Sequence, residues 1–321
     1  IRVLGTDVEL SLNLVPPFKN DPNFTIPLNE VSTRIESGAP MSTGLCFVID
    51  SNNNYFICCQ TPNSIKKITP NGQSEVFWTG SDNYPAHVAI DKDNNIFVSL
   101  KGGAEPHKII KITPDGIESD YWLSTVAGDS PGPLVIDSNN RLICIINNII
   151  DPLKNSRICL IENNELATIM DISSNLQNKI ANNFNISCLT INSKDELFMC
   201  ELMNDYESSF NGARILKYSY IDGLTMFTND TSFENNNYQQ GMPIFSRFNH
   251  PSSITIDKHD NLYLVEEMMH LLVKITPDKR VKTIAGQETP GNENGVFSIA
   301  KLNRPVDIKI DNHGVINILD K

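Results

Sequence analysis

Six segments of the chain repeat one pattern: a short apolar run, a polar turn opened by Asp or Asn, and a second apolar run. They are FVIDSNNNYFICC (47–59), VAIDKDNNIFVSL (88–100), LVIDSNNRLICI (134–145), LTINSKDELFMCE (189–201), ITIDKHDNLYLVE (254–266) and IKIDNHGVINILD (308–320). No other feature limits the fold as strongly, because self-similarity at a regular spacing makes a chain an array of one supersecondary unit. The segments align on Asp50, Asp91, Asp137, Asn192, Asp257 and Asp311. Asp or Asn in that place accepts hydrogen bonds from backbone N–H groups two residues on, so the repeated residue reads as turn chemistry and each segment as a β-hairpin.

Most of these hairpins are followed by a second: SIKKITPNGQSEVFW (64–78), KIIKITPDGIESDYW (108–122), RICLIENNELATIM (157–170), RILKYSYIDGLTMF (214–227) and LLVKITPDKRVKTI (271–284). Pro before Asn-Gly or Asp-Gly supplies the fixed φ and then the positive φ of a tight connection. Four antiparallel strands per repeat result, and anchor spacings of 41 to 65 residues match one propeller blade plus its loops. The expected fold is all-β, a single domain over 1–321: a six-bladed β-propeller of four-stranded antiparallel blades. The last repeat has only its first hairpin. IRVLGTDVELSLNL (1–14) has the form of a second hairpin and is predicted to complete the sixth blade, joining the two ends of the chain and removing the exposed sheet edges. Pro85, Pro131, Pro251 and Pro305 each stand six residues before an anchor, where an innermost strand begins and no ladder N–H is needed. The elaborate bend TIAGQETPGNENG (283–295) then carries the chain from the outermost strand of one blade back to the innermost strand of the next.

The stretch from Phe248 to Asp311 resembles consecutive NHL repeats, with FNHPSSITIDKHDNLYLVE followed by LLVKITPDKRVKTIAG. Glu266 and Asp320 stand where that family carries Asp after its second strand, and MMHLLVKI (268–275) replaces its usual Asn-His-Arg-Ile segment. The resemblance implies a propeller whose relatives include protein-binding and RNA-binding modules and, on the same fold, lactonases and lyases with a metal in the central channel. Fold alone does not choose among them.

Composition narrows the choice. With 26 basic against 38 acidic side chains the net charge is −12, and no Lys/Arg cluster gathers on one stretch, so nucleic acid is disfavoured as a partner and a basic or neutral protein is favoured. No apolar run reaches the ~18 residues of a membrane span. The compartment is not legible. Had a signal segment been removed before Ile1, Asn23, Asn185 and Asn229 would be glycosylation acceptors.

The sharpest metal candidates are Glu201, Glu266 and Asp320, each nine residues after its anchor; three carboxylates meeting at the channel mouth would suit Ca²⁺ or another divalent ion. The same position in the first three repeats holds Cys59, Leu100 and Ile146, so the bland reading is that the carboxylates cap backbone groups at strand ends. DKDNN (91–95) lacks the Gly and distal Glu of a calcium loop and reads as a hairpin turn. His87, His107, His250 and His270 are placed in or near loops of one face, without zinc spacing. Cys46 faces Cys58 and Cys188 faces Cys200 across predicted hairpins; packed, reduced thiols are expected. No nucleophile elbow, phosphate loop or metalloprotease helix motif occurs, so no catalytic residue is assigned. The expectation is a non-enzymatic recognition module binding protein through top-face loops, with Tyr206, Phe210, His250 and His270 as ligand-binding candidates and Phe233 and Tyr238 as further aromatic anchors. The alternative is a lactonase-like or lyase-like enzyme with a divalent ion in the channel, held by carboxylates such as Glu201 and Glu266.

Overall fold

The computed structural model describes residues 2–4, 44–80, 83–102, 107–148, 150, 156–172, 184–205, 210–228, 248, 250–293 and 299–321, the backbone alone for 2–4, 44, 184–185, 203–205 and 210–212. Its described elements are all strands. A short strand β1 (Arg2–Leu4) comes first. Blade 1 is β2 (Gly44–Ile49), β3 (Tyr55–Gln60), β4 (Asn63–Ile68) and β5 (Ser74–Thr79). Blade 2 is β6 (Tyr84–Ile90), β7 (Ile96–Lys101), β8 (Lys108–Ile112) and β9 (Glu118–Leu123). Blade 3 is β10 (Asp129–Ile136), β11 (Leu142–Asn148), β12 (Arg157–Glu162) and β13 (Glu165–Asp171). Blade 4 is β14 (Phe184–Ile191), β15 (Leu197–Asp205), β16 (Phe210–Ser219) and β17 (Gly223–Met226). Blade 5 is β18 (Pro251–Ile256), β19 (Leu262–Glu266), β20 (Leu271–Ile275) and β21 (Val281–Gly286). The chain ends with β22 (Asp307–Ile310) and β23 (Ile316–Leu319).

Within each blade the strands pair antiparallel in chain order. The anchors act as the sequence implies. Asp91 Oδ1 accepts from the backbone N–H of Asp93 at 3.0 Å and of Asn95 at 2.8 Å, and Asp50, Asp137, Asn192, Asp257 and Asp311 repeat the arrangement. Pro85, Pro131 and Pro251 open their innermost strands, and each is followed by a bulge that releases the ladder where Pro lacks a donor.

One expectation is corrected. Among the described residues there are five four-stranded blades, not six. The sixth sheet has three strands in the order β1–β23–β22, and β1 runs parallel to β23, pairing Val3 with Ile318. An antiparallel hairpin from 1–14 would have added two strands; alternating polarity marks a strand without encoding its direction, and a three-residue strand satisfies a sheet edge in either sense. The remainder of that predicted hairpin lies outside the described residues. The ring is closed nonetheless, because β22 contacts both β18 and β2. The core accordingly lies between sheets, one apolar cluster per seam. The cluster between the sixth sheet and blade 1 centres on Phe47, Tyr55 and Leu319, and polar bonds reinforce it. Tyr55 donates to Asn317 Oδ1 at 3.0 Å, and Phe47 N–H donates to Asp307 Oδ2 at 2.7 Å.

Candidate functional site

The six innermost strands surround a channel, and the residue four before each anchor faces it: Cys46, His87, Pro133, Cys188, Ser253 and Asp307 all line a cavity of about 90 Å³. That volume holds about three waters. Asp307, 3% exposed, is its electrostatic centre. Its Oδ2 accepts from Phe47 N–H; its Oδ1 accepts from the Ser253 hydroxyl at 2.5 Å, the Lys309 ammonium at 2.7 Å and its neighbour Ile308 N–H at 2.8 Å. Lys309 also lies 5.8 Å from the centroid of the Phe47 ring. Four donors thus converge on one buried carboxylate in the lining of the channel. His87, expected in or near a loop, is on β6 three residues after its start. The surface it retains faces the channel rather than bulk solvent, and burial, with Lys101 and Lys309 adding to it, lowers its pKa well below the usual value. The imidazole is therefore neutral near pH 7.

All seven cysteines are buried free thiols. Cys46 is directly opposite Cys58 and Cys188 opposite Cys200. Burial and then the bond to Cys46 push the Cys58 thiol up; for Cys200 the bond to Cys188 leads and burial follows. Thiols held protonated in this way are poor nucleophiles.

Call the end where β19 turns into β20 and where loops lead into innermost strands the upper face; the anchor turns are on the lower face. Glu201 lies within β15, Glu266 ends β19 and Asp320 directly follows β23, and each has its own separate partner. Glu201 forms an ion pair with Arg214, and burial raises its pKa against that partner's pull. Glu266 Oε2 accepts from His250 N–H at 2.9 Å. Asp320 accepts from Asn303 N–H at 2.9 and 2.8 Å through its two oxygens. Among the described residues no three of His, Cys, Asp and Glu come together as metal ligands.

Burial raises the Asp320 pKa from 3.8 to about 7, against the two backbone donors from Asn303 and Lys321. Between these values the folded chain binds the proton more tightly than the unfolded chain, so this group's contribution to stability falls as pH rises from about 4 to about 7 and is flat beyond. Asp320→Asn, which cannot ionise, is expected to remove that slope. Denaturant midpoints measured at pH 4, 5, 6 and 7 should show the variant gaining on the wild type with each step; parallel curves would contradict the assignment.

His250 and His270 are brought together on the upper face at the seam of blade 5 and the sixth sheet. Their organiser is Glu267, which sequence reasoning missed. Arg304 bonds to Glu267 Oε1 at 2.8 Å and Lys321 at 3.4 Å, while Nδ1 of His250 lies 3.8 Å from Oε2. Arg304 N–H donates to His270 Nδ1 at 2.9 Å, so a neutral His270 carries its proton on Nε2. Burial, then Arg304, lowers the His270 pKa. Half-exposed pairs of this kind add at most about 1 kcal/mol, and their consequence is positional. Met268, 55% exposed, belongs to the same β19–β20 turn as Glu267 and His270. Of the other binding candidates, Phe210 begins β16 with its side chain undescribed, while Tyr206, Phe233 and Tyr238 lie outside the described residues.

These features define a β-propeller with a small central cavity and a polar, partly apolar upper seam. No family model matches the chain, and no curated protein matches it. Solved structures do. A protein of unknown function from Bacteroides thetaiotaomicron is similar with a TM-score of 0.67 at 17% identity, covering 87% of this chain and 66% of that one, so the chain spans less than two thirds of its length. A gluconolactonase from Xanthomonas campestris matches with a TM-score of 0.63 at 9% identity over 99% and 94% of the two chains. A virginiamycin B lyase from Staphylococcus aureus matches at 0.52 and 15% identity over 87% and 85%. At these identities the likeness is one of fold.

Proposed function

We propose that the chain is a non-enzymatic recognition propeller that binds a protein partner on its upper face, at the seam of blade 5 and the sixth sheet. The observation that carries this reading is that Met268, 55% exposed, belongs to the β19–β20 turn that also carries Glu267 and His270, with Arg304 and His250 drawn to Glu267. Apolar side chains rimmed by fixed charges are the composition of protein interfaces. The channel supports the same reading: Asp307 is bonded to the chain's own donors, and the cavity of about 90 Å³ suits water better than a sugar-sized substrate. The excess of acidic side chains favours a partner with a basic or neutral face. The gluconolactonase and lyase likeness does not carry chemistry across, since this fold hosts many functions.

The test uses immobilised protein and extract of the source cells. Met268→Asp combined with Arg304→Glu is expected to reduce specifically captured protein about tenfold or more, as loss of central interface anchors does. Ile221→Asp, on the lower face at a side chain 94% exposed, should leave capture unchanged. Equal capture by the upper-face variant, or equal loss with both, would overturn the proposal.

A further inference from the structure

Neighbouring blades are fastened to one another along the lower face by a repeated bond. The residue three after each anchor adopts a left-handed conformation, with φ of 60° at Asn53, 61° at Asn94, 63° at Asn140, 60° at Asp195 and 61° at Asp260. From there its side chain reaches the preceding blade. Asn94 accepts from Ser51 N–H at 3.0 Å and donates to its hydroxyl at 2.9 Å. Asn140 accepts from Lys92 N–H at 3.2 Å, and Asp195 accepts from Ser138 N–H at 2.8 Å and its hydroxyl at 2.6 Å. Asp260 takes Lys194 at 3.3 Å, and Asn53 meets His313 at 3.4 Å across the closing seam.

At the remaining seam, blade 5 to the sixth sheet, the equivalent residue is Gly314, with φ of 77° and no side chain to send across. A cleft of about 590 Å³ opens there, lined by Ile256, Lys258, His259, Tyr263, Ile310 and His313 among others. This volume is within the roughly 300–1,000 Å³ typical of small-molecule sites. Its carboxylates are already engaged. Asp257 accepts from His259 N–H, Asn261 N–H, the Asn261 amide and the Tyr263 hydroxyl, and Asp311 from His313 N–H and Val315 N–H. Lys258, by contrast, is exposed and has no ion pair among the described residues. The cleft thus offers an apolar wall of isoleucines, an aromatic ring and an uncommitted cation.

We propose that the lower-face cleft beside Gly314 is a binding site for a small organic anion with an apolar body, its acidic group at Lys258 and its body against Ile256, Ile310 and Ile316. The site is independent of the upper-face partner. Gly314→Asn is the decisive variant: Asn already occupies the corresponding left-handed position at 94 and 140, a Cβ at 314 meets nothing within 4 Å, and the amide would reach Lys258 N–H and close the cleft. Lys258→Gln removes the charge and keeps the space. The probe is 8-anilinonaphthalene-1-sulfonate, titrated by fluorescence against the folded chain, with Nile red as the uncharged control. The wild type is expected to take up one equivalent saturably, with affinity about tenfold lower in Gly314→Asn and about fivefold lower in Lys258→Gln, while Nile red responds to the first substitution only. Absence of saturable binding by the wild type, or binding indifferent to both substitutions, would overturn the proposal. Thermal melts accompany each titration; should Gly314→Asn fail to fold, the Lys258→Gln arm decides alone.

Discussion

Asp307→Ala is expected to destabilise the propeller by about 3–5 kcal/mol, the range for removing one partner of a buried, hydrogen-bonded ion pair. The substitution strands four donors at once: the ammonium of Lys309, the hydroxyl of Ser253 and the backbone N–H groups of Phe47 and Ile308. Phe47 is 260 residues away in the chain, so the bond fastens the sixth sheet to blade 1 beside the apolar cluster of Phe47, Tyr55 and Leu319. Asp307→Asn, which keeps one acceptor oxygen and loses the charge, should fall between. Urea denaturation of the three proteins measures the difference. A loss under about 1 kcal/mol for the Ala variant, the scale of an exposed pair, would show that Asp307 does not hold the ring together.

Gly286→Ala is expected to cost about 3 kcal/mol. Gly286 has φ of 89°, and a Cβ built there would lie 2.0 Å from the carbonyl oxygen of His270 and 3.0 Å from the Cα of Leu271. Both contacts are with backbone, which cannot rotate aside, and a positive φ adds its own strain for a residue with a side chain. His270 is itself left-handed, with φ of 57°, so the two backbones are fitted to each other at the end of the β20–β21 pairing. The substitution should therefore both lower the melting temperature and weaken capture of the upper-face partner, because displacing His270 disturbs its bond to Arg304. Normal stability in the Ala variant would mean that the close approach is relieved at no expense.

What was legible in the sequence was local. Asp50, Asp91, Asp137, Asn192, Asp257 and Asp311 could be found because the bonds they make stay within four residues, and the prolines because a missing N–H forbids most other places in a blade. The sixth sheet was misread because the direction in which a short strand pairs depends on where the rest of the chain carries it. Glu201, Glu266 and Asp320 share one place in the repeat, nine residues after each anchor, but sequence spacing says nothing of whether side chains on different blades converge. Glu201 turns to Arg214 on its own hairpin, and the other two cap the backbone leading into innermost strands. Asp307 and Lys309 went unremarked, and His87 was weighed only as a residue in or near a loop, because their surroundings exist only when six strands meet. One signal was available: counting four residues back from every anchor gives Cys46, His87, Pro133, Cys188, Ser253 and Asp307, a row of polar or small residues inside otherwise apolar runs. Gly314 carried a similar signal, as the one anchor-plus-three position without a side chain.

Everything assigned to either face depends on a ring whose last sheet is bonded to its first blade. Hydrogen exchange at the Phe47 amide tests this most directly, since its acceptor is Asp307. The amide is expected to exchange as slowly as those in the middle of blades 2 and 3, opening only with the whole propeller. Fast exchange at Phe47, with those blades still protected, would contradict the closed ring.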